Sequence, residues 1–230
     1  PELPKSMTSK AKQSDDLFAS IDEQVGELKA VARAARRPRA TAVRKVANGV
    51  YDFVFTADRR LAFQAGQYVE TTLPTRHSDS RGNRRYFTIA SAPDERQVVL
   101  GVKFYPEPST FKEAMSKLKP GDEMLASPAD GNFTLPRNRK TKLCFIAGGI
   151  GVTPFRSMIQ HLMSEGEERP IVLFYANEKA EDIAYADIFA EGDIADHMRV
   201  GRNEITPLLR KLGALAFEFV DGHGVSPVLA

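Results

Sequence analysis

The chain has 230 residues, of which 42% are hydrophobic and 27% charged, and its formal net charge is only +2. These values are typical of a soluble globular protein with room for two compact units. No apolar run approaches the roughly 18 residues that a membrane helix needs, and no signal peptide is visible. A single cysteine, Cys144, excludes an internal disulfide and an iron–sulfur cluster held by cysteines of this chain. The four histidines form no short-spaced pair, so no metal site is predicted.

Residues 1–38 are predicted to form a polar or helical extension or linker. A helix is predicted from Asp16 to Ala35, with Ser14 among the residues that can cap it. Residues 1–46 carry ten Lys or Arg and six Asp or Glu, so the basic excess is an N-terminal feature. Such a cluster can contact anionic lipid or nucleic acid, but a solvated linker is its more common role. The chain begins without methionine, which is compatible with a fragment or a processed product.

The middle of the chain consists of short β-type runs separated by turn residues such as Asn48-Gly49. Six short strands fit a small closed antiparallel barrel. One helical insert is predicted over Ser109–Leu118, where apolar residues recur at helical spacing. The predicted strands are Ala42–Val46, Val50–Thr56, Gln67–Leu73, Arg85–Ala90, Gln97–Phe104 and Asp122–Ala126.

The stretch Lys142–Leu162 predicts a strand, a glycine turn and a helix. Residues 143–147 suit a buried strand, three glycines follow at 148, 149 and 151, and Pro154 fits the first helical turn. Glycines let the backbone approach a ligand, and a helix N-terminus offers unpaired N–H groups to an anion. Because the turn lacks the usual dinucleotide spacing, it is on its own also compatible with a tight connection that binds nothing. A strand over Ile171–Ala176 and a helical segment over 181–190 complete the pattern of a parallel sheet with a ligand at its carboxyl edge.

Two ordered motifs carry a resemblance to a known family. Arg84–Pro93 reads RRYFTIASAP, and Gly148–Pro154 reads GGIGVTP. Together they resemble the ferredoxin–NADP reductase superfamily, and within it bacterial reductase modules of which some are fused to a membrane-embedded domain. The resemblance covers residues 39–185 well. It implies an antiparallel six-stranded flavin-binding barrel over 39–138, followed by an apparently shortened parallel-sheet NAD(P)-binding α/β domain over 139–230.

In that family an Arg-x-Tyr-Ser/Thr motif on a barrel strand holds the flavin. Arg85, Phe87 and Thr88 fall on this motif, with Phe where the family usually has Tyr. The resemblance implies that Arg85 binds the flavin phosphate, that Phe87 faces the isoalloxazine, and that Thr88 is a catalytic residue near the reactive N5. Tyr86 lies between them and is included in the cofactor site. On the residues alone, the stretch is equally compatible with a strand whose arginines are solvated.

A second group implied by the resemblance surrounds the start of the helical insert. Ser109 and Thr110 suit a pyrophosphate through their side chains and N–H groups. The family usually has glycine just before this point, whereas this chain has a glutamate and a proline. Phe104 and Tyr105 flank the ribityl or adenine portion of FAD or, equally, belong to the barrel core.

The resemblance also implies a nicotinamide site on the glycine turn. Thr153 is expected near the carboxamide as a catalytic residue, and the adenosine ribose is expected beside the residues that follow the second strand. One lysine there, next to an acidic residue, leaves NADH versus NADPH open. The residues implied in nucleotide binding are Gly148, Gly149, Gly151, Thr153, Asn177, Lys179 and Gly222.

The C-terminal third departs from the family pattern. The Gly-Arg-x-Thr-Pro element of the family arrives early, at 201–207, as if a strand near 192–200 were deleted or absent from the sequence. Asp221, just before Gly222, brings a negative charge to a place where the family usually has a small neutral side chain near the nicotinamide.

The function implied is that of a flavin-dependent oxidoreductase that passes electrons from NAD(P)H through FAD to an electron carrier. The alternative is a non-catalytic flavin-binding or assembly module of a larger membrane electron-transfer complex, which the unusual C-terminal third favours. The expected partners are NAD(P)H and a redox protein or membrane acceptor, and not nucleic acid. The expected location is cytoplasmic and includes the cytoplasmic face of a membrane. The sequence leaves open the acceptor, FAD versus FMN, and the oligomeric state.

Overall fold

The structure is a computed structural model that describes residues 36–56, 59–75 and 79–191, together with the backbone of two strands at 218–221 and 224–227. The helix predicted over 16–35, the early motif at 201–207 and Gly222 lie outside these residues. The described residues form a β-rich unit up to residue 135 and an α/β unit from residue 143.

The β-rich unit consists of two three-stranded antiparallel sheets. Their hydrogen-bonded orders are β1-β2-β5 and β4-β3-β6, and each strand overlaps one of the six predicted runs. The strands are β1 (Arg39–Ala47), β2 (Val50–Thr56), β3 (Tyr68–Thr72), β4 (Arg84–Thr88), β5 (Val98–Lys103) and β6 (Leu125–Ala126).

The last of these strands, β6, is shorter than the run 122–126 predicted it to be. Residues before it make single hydrogen bonds to the first residues that the structure describes and do not form a continuous ladder. The Ala40 N–H donates to the Asp122 carbonyl at 2.8 Å, and the Met124 N–H donates to the Pro38 carbonyl at 3.2 Å.

Apolar side chains from both sheets meet in one core. β2 contributes Phe53 and Phe55, β5 contributes Leu100, and all three are almost completely buried. The turn between β1 and β2 uses Gly49, whose φ of +66° suits glycine because other residues rarely adopt it. β2 is buried on both faces, because on its other face Val50 packs against the α/β unit and Val54 packs with Ala90 and Val99.

One helix, α1 (Thr110–Ser116), lies within the predicted insert and closes this core. Phe111 and Met115, one turn apart, are both 0% exposed. The Ser109 hydroxyl caps the helix by accepting the Lys112 N–H at 3.3 Å. The helical spacing in the sequence therefore predicted both the element and its buried side.

The α/β unit is built on two parallel strands, β7 (Leu143–Gly148) and β8 (Ile171–Ala176). A 3-10 turn over Gly149–Val152 leads into α2 (Thr153–Ser164), which has Pro154 in its first turn. The helix packs on the strands through an aromatic stack between Phe155 and Phe145, whose ring centroids are 4.5 Å apart. The predicted strand, glycine turn and helix are all present.

The helix predicted over 181–190 is interrupted. A 3-10 turn over Ala180–Asp182 comes first, and α3 spans only Ala186–Glu191. Tyr185 between them has a φ of +62°, a left-handed conformation that is uncommon for residues other than glycine and that cannot continue a right-handed helix. Near the C-terminus, β9 (Glu218–Asp221) and β10 (Gly224–Pro227) pair as an antiparallel hairpin. In the described part of the chain, every helix is too short or too polar to span a membrane.

Candidate functional site

The carboxyl edge of the parallel strands brings the glycine turn beside the residues that follow β8. Gly148 and Ala176 are the last residues of the two strands and lie opposite each other in the register. Gly149 and Asn177, which directly follow them, are therefore neighbours at this edge. A Cβ built on Gly148 or Gly149 would meet no heavy atom within 4 Å. Open space of this kind lets a ligand approach the main chain directly.

Asn177 has an unusual environment at this edge. It is only 7% exposed and lies beside the Tyr175 hydroxyl, but neither polar atom of its amide makes a hydrogen bond within the described part of the chain. A buried amide without partners marks a place that a ligand or an ordered water completes. Lys179 is exposed and lies 3.7 Å from the Glu181 carboxylate, which offsets part of its charge.

The start of α2 is hydrogen-bonded to the segment that continues β4. The Ser157 hydroxyl donates to the Ser91 carbonyl at 2.6 Å, and the Arg156 guanidinium donates to the Ala90 carbonyl. Both serines are 0% exposed, so this is an internal junction. These bonds join the end of the first motif, RRYFTIAS, to the helix that begins at the end of the second, GGIGVTP, at one interface between the two units.

Gly101 of β5 is a point of close approach at the same junction. A Cβ at this position would lie 2.4 Å from the Tyr185 hydroxyl, 2.8 Å from Thr153 Cγ2 and 3.2 Å from Ile150 Cδ1. Real Cβ atoms do not approach other groups so closely, so the packing requires glycine. Thr153 is 5% exposed, and its hydroxyl donates to the Ile150 carbonyl at 3.2 Å. The methyl group of Thr153 therefore faces the β-rich unit, while its hydroxyl is held by the turn.

A buried polar pair lies beside this contact. The Tyr185 hydroxyl donates to Asp52 Oδ1 at 2.5 Å, and the Arg156 guanidinium lies over the Tyr185 ring at 5.2 Å. Burial raises the pKa of Asp52, and the hydrogen bond from Tyr185 and the charge of Arg156 offset this only in part. Burial and the neighbouring carboxylate raise the pKa of Tyr185 well above its usual value, so the phenol remains a donor.

On β4, Arg85 and Phe87 lie on the side that packs against α1, and Tyr86 lies on the other. Phe87 is half-buried, with its ring centroid 5.9 Å from that of Phe111, and the Arg85 guanidinium carbon lies 5.4 Å from the same ring. Tyr86 is 64% exposed. Thr88 is half-buried at the end of the strand. The structure therefore separates Tyr86 from Arg85 and Phe87, and Thr88, two residues further along the strand, lies on the Tyr86 side.

The Arg85 guanidinium is already paired inside the chain. Its Nη2 donates to both carboxylate oxygens of Asp79, at 3.1 and 3.0 Å, and its Nη1 donates to the carbonyls of Arg81, Gly82 and Arg84. Burial acts to raise the pKa of Asp79, but hydrogen bonds from the Arg81 amide and from Arg85 outweigh it and lower the pKa. The ion pair therefore persists at neutral pH.

The other residues predicted to bind phosphate are also engaged. The Ser109 hydroxyl caps α1, and Thr110 Oγ1 accepts the Asp79 N–H at 3.3 Å. The Lys112 ammonium donates to the Lys103 carbonyl at 2.8 Å. Burial lowers the pKa of Lys112, and the charges of Arg81 and Arg85 lower it further, which shows that three cations share this corner of the unit.

Phe104 and Tyr105, which the sequence left between cofactor site and core, have different surroundings. Phe104 packs edge-on against Tyr51, with centroids 5.8 Å apart, and joins the core of the β-rich unit. Tyr105 is 48% exposed, and the Lys112 ammonium lies 5.1 Å from its ring centroid. Tyr105 is therefore the member of the pair whose aromatic face is available beside the cationic corner.

Sequence reasoning missed four residues of this region: Asp52, Asp79, Gly101 and Tyr185. Two of them carried a signal, since a glycine inside an apolar strand indicates close backbone approach and an aspartate inside one indicates a partner. Asp79 and Tyr185 carried none, because their roles arise from contacts with the folded chain. Within the described segments, no group of three or more His, Cys, Asp or Glu residues could hold a metal ion.

Comparison with known proteins places these features in context. The family model described as the oxidoreductase NAD-binding domain matches residues 145–200. Ferredoxin–NADP reductase B of Sorangium cellulosum is 31% identical over 151 residues, which are 65% of this chain and 61% of that protein. The reductase component of phenol 2-monooxygenase from a Pseudomonas species is 32% identical over 135 residues, 58% of this chain and 37% of that protein. A Candida albicans flavohemoprotein is 33% identical over 107 residues, 46% of this chain and 26% of that protein.

Solved structures share the fold at lower identity. Phthalate dioxygenase reductase superposes with a TM-score of 0.61 and 23% identity, over 74% of this chain and 52% of that one. The FAD/NAD-binding domain of a Vibrio cholerae nitric oxide dioxygenase superposes with a TM-score of 0.63 and 18% identity, over 80% of this chain and 85% of that one.

The chain is thus similar in sequence to reductases and reductase components, and it shares the fold of a solved FAD/NAD-binding domain. The resemblance to the ferredoxin–NADP reductase superfamily, predicted from two motifs, is confirmed by these relatives. The chain spans between 26% and 61% of the length of the three curated relatives named above.

Proposed function

We propose that this chain is the flavin- and nicotinamide-binding part of an electron-transfer reductase that passes electrons from NAD(P)H through FAD to a redox partner. The observation that carries the proposal is the junction at which Ser157 bonds to Ser91 and Arg156 to Ala90. It joins the motif proposed for flavin to the motif proposed for nicotinamide. A reaction between two bound rings requires both sites on one interface, because the reacting atoms must be held in contact.

The proposal includes a six-stranded barrel over residues 39–138 and a nucleotide-binding domain over 139–230. Single bridges support closure of the two β-sheets into one barrel. The bridge between Ile89 and Leu100 links the residue after β4 to β5, and the bridge between Arg39 and Glu123 links β1 to the segment before β6. Closure would give the ring order β1-β2-β5-β4-β3-β6.

The residues near β4 and α1 fit an aromatic group that carries a phosphate tail. Phe87 offers a half-buried ring, Tyr105 offers an exposed one, and three cations lie close by. In this proposal Arg85, Ser109 and Thr110 bind the phosphates, and Thr88 hydrogen-bonds to the ring near its reactive edge. Bound FAD supplies the redox chemistry, since it accepts electrons as a pair from a reduced nicotinamide and releases them singly.

The carboxyl edge of the parallel strands fits a nucleotide. Gly148 and Gly149 leave open space above the backbone, and the unpartnered amide of Asn177 lies beside them. We assign the phosphates to the glycine turn, which includes Gly151, and the ribose hydroxyls to Asn177. Thr153, buried at the junction, positions the nicotinamide toward the β-rich unit.

The protein's own contribution is alignment and exclusion of water. The contacts of Gly101 with Thr153 and Tyr185 leave no gap between the units at this point, and the polar groups around them are buried. A dry and rigid junction holds two planar rings in one geometry without reorganising for each reaction.

We propose a redox protein or a membrane-bound carrier as the electron acceptor. The relatives include the reductase component of a phenol monooxygenase and a ferredoxin–NADP reductase, which supports an acceptor of the protein class. Association with a membrane domain, at its cytoplasmic face, rests on the resemblance of the two motifs to reductase modules of that kind.

A steady-state assay tests the proposal. The purified chain is loaded with FAD, and reduction of ferricyanide is followed with NADH and with NADPH. We expect turnover that requires both flavin and nucleotide. Reduction at the rate of free FAD, with a protein that retains its flavin, would support the non-catalytic module and contradict the proposal.

A further inference from the structure

Asp79 binds two of the side chains to which the proposed function assigns the cofactor phosphate. Its carboxylate accepts two hydrogen bonds from Arg85 Nη2, and its backbone N–H donates to Thr110 Oγ1. The two contacts tie the loop at 79–82 to both β4 and the start of α1. Asp79 is thus the residue common to both proposed phosphate ligands.

The Arg85 fork has little capacity left for another anion. Nη2 is directed at the two carboxylate oxygens, and Nη1 is directed at the backbone carbonyls of Arg81 and Gly82 in the same loop and of Arg84 at the start of β4. A guanidinium carries two N–H groups on each terminal nitrogen. The fifth N–H is on Nε. A phosphate that binds through Nη2 must therefore displace the carboxylate of Asp79 from that nitrogen.

The charges around this fork favour an anion in place of Asp79. The charges of Arg81 and Arg85 lower the pKa of Lys112, and Asp79 is the carboxylate that forms an ion pair with Arg85. Such a cluster keeps a net positive charge, so it attracts a phosphate as it attracts the carboxylate.

We propose that Asp79 sets the flavin affinity of this chain by competing with the cofactor phosphate for Arg85. This inference rests on the proposed function and deepens it. Two states are in equilibrium. In one, the loop at 79–82 is closed and Asp79 is paired with Arg85; in the other, the loop is open and Arg85 binds the phosphate. The apparent dissociation constant then exceeds the intrinsic one by the inverse of the open fraction. The cofactor is consequently exchangeable.

Loop opening is feasible because the pair is near the surface. The side chains of Arg85 and Asp79 are 15% and 24% exposed, so water can solvate the carboxylate once it is released. Gly82 within the loop has a φ of +68°, and a Cβ there would meet nothing within 4 Å. The loop can therefore move without disturbing the core.

The test compares flavins that differ in their phosphates. Binding of riboflavin, FMN and FAD to the full chain is measured by flavin fluorescence for wild type and for Asp79→Asn. Asparagine keeps the size of the side chain and its backbone N–H, but it removes the charge that holds Arg85. We expect FMN and FAD to bind about fivefold to tenfold more tightly to the variant. Riboflavin, which has no phosphate, should bind with unchanged affinity.

Two further variants separate competition from a change in overall charge. Glu123→Gln removes a carboxylate from another Arg pair of the same unit, 2.7 Å from Arg39, and should leave all three affinities unchanged. In an Arg85→Ala background, Asp79→Asn should not increase the affinity for FMN or FAD, because the guanidinium for which Asp79 and the phosphate compete is absent. A gain that persists in this background contradicts the proposal.

The outcomes distinguish this inference from the proposed function. Weaker FMN and FAD binding to Asp79→Asn would show that Asp79 supports the site, and it would overturn the inference alone. Equal changes for riboflavin and FAD would do the same. If neither wild type nor variant binds any flavin while circular dichroism shows a folded chain, the proposed function fails and the inference fails with it.

Discussion

The hydroxyl of Tyr185 lies 2.5 Å from Asp52 Oδ1 and donates a hydrogen bond to it. The two residues are 133 positions apart in the chain, and their hydrogen bond joins the α/β unit to the β-rich unit. Both residues are buried, Asp52 to 7% and Tyr185 to 4% exposure. Tyr185 adopts a left-handed backbone conformation at the place where the predicted helix breaks. The interruption of the helix and the contact between the units are therefore one feature.

Replacement of Tyr185 by Phe removes the donor and leaves the Asp52 carboxylate buried. A buried acceptor without its partner costs about 1–3 kcal/mol, and we expect the free energy of unfolding to fall by that amount. Urea unfolding measures it. Tyr86→Phe, at a site that is 64% exposed, is the control and should change it by less than about 0.5 kcal/mol. Equal effects of the two variants would contradict the role of the pair.

Asp52→Asn gives a prediction about pH. Burial raises the pKa of Asp52 in the folded chain above its ordinary value of 3.8. Between these two pKa values the folded state binds more protons than the unfolded state, so the contribution of Asp52 to stability falls as pH rises. Asn accepts the same hydrogen bond without a charge. The stability of the variant relative to wild type should therefore increase from about pH 4 upward, until the folded pKa is passed. A difference in the free energy of unfolding between Asp52→Asn and wild type that does not change with pH would contradict this prediction.

Two glycines provide a matched pair. Gly101→Ala places a methyl group 2.4 Å from the Tyr185 hydroxyl, and overpacking of this kind costs about 1–3 kcal/mol of stability. Gly148→Ala meets no atom within 4 Å, and the φ of −125° at this position suits alanine, so stability should be retained. The Gly148 variant should instead bind NADH and NADPH about tenfold more weakly, which corresponds to about 1.4 kcal/mol. Thermal unfolding and nucleotide titration measure the two effects, and unchanged nucleotide affinity would contradict the assignment of the edge.

Local patterns in the sequence predicted the elements well. Alternation and turn residues located all six strands of the first unit, and Phe111 and Met115 marked the buried side of α1. The strand, glycine turn and helix at 143–164 followed from apolar spacing and Pro154. Such features depend on near neighbours in the chain, so a sequence contains enough information to predict them.

The parts that sequence did not predict depend on distant contacts. Asp79 satisfies Arg85, and Tyr185 reaches Asp52, through contacts that no local period or motif encodes. The motif assigned Arg85 to a phosphate by resemblance, but only the structure shows the carboxylate that occupies its fork. The break before α3 was likewise invisible, because tertiary contacts of Tyr185 override the helical pattern.

Arg85→Ala and Thr88→Ala separate retention of the cofactor from its chemistry. Loss of the Arg85 cation removes a charge-assisted hydrogen bond of roughly 1.5–3 kcal/mol, so flavin affinity should fall about tenfold or more. The fall is smaller to the extent that Asp79 already weakens flavin binding in the wild type by pairing with Arg85. Thr88→Ala should retain flavin and slow its reduction. Flavin content after dialysis and the rate of reduction by NAD(P)H measure the two effects. Retention by the Arg85 variant together with loss by the Thr88 variant would reverse the two roles.

The most direct test of the central claim is anaerobic stopped-flow mixing of the flavin-loaded chain with NADH and with NADPH. The visible absorbance of the bound flavin is followed over the time of one turnover. If the junction between the two motifs aligns the two rings, the absorbance bleaches within that time with at least one nucleotide. A bound flavin that dithionite reduces but neither nucleotide does would contradict the account.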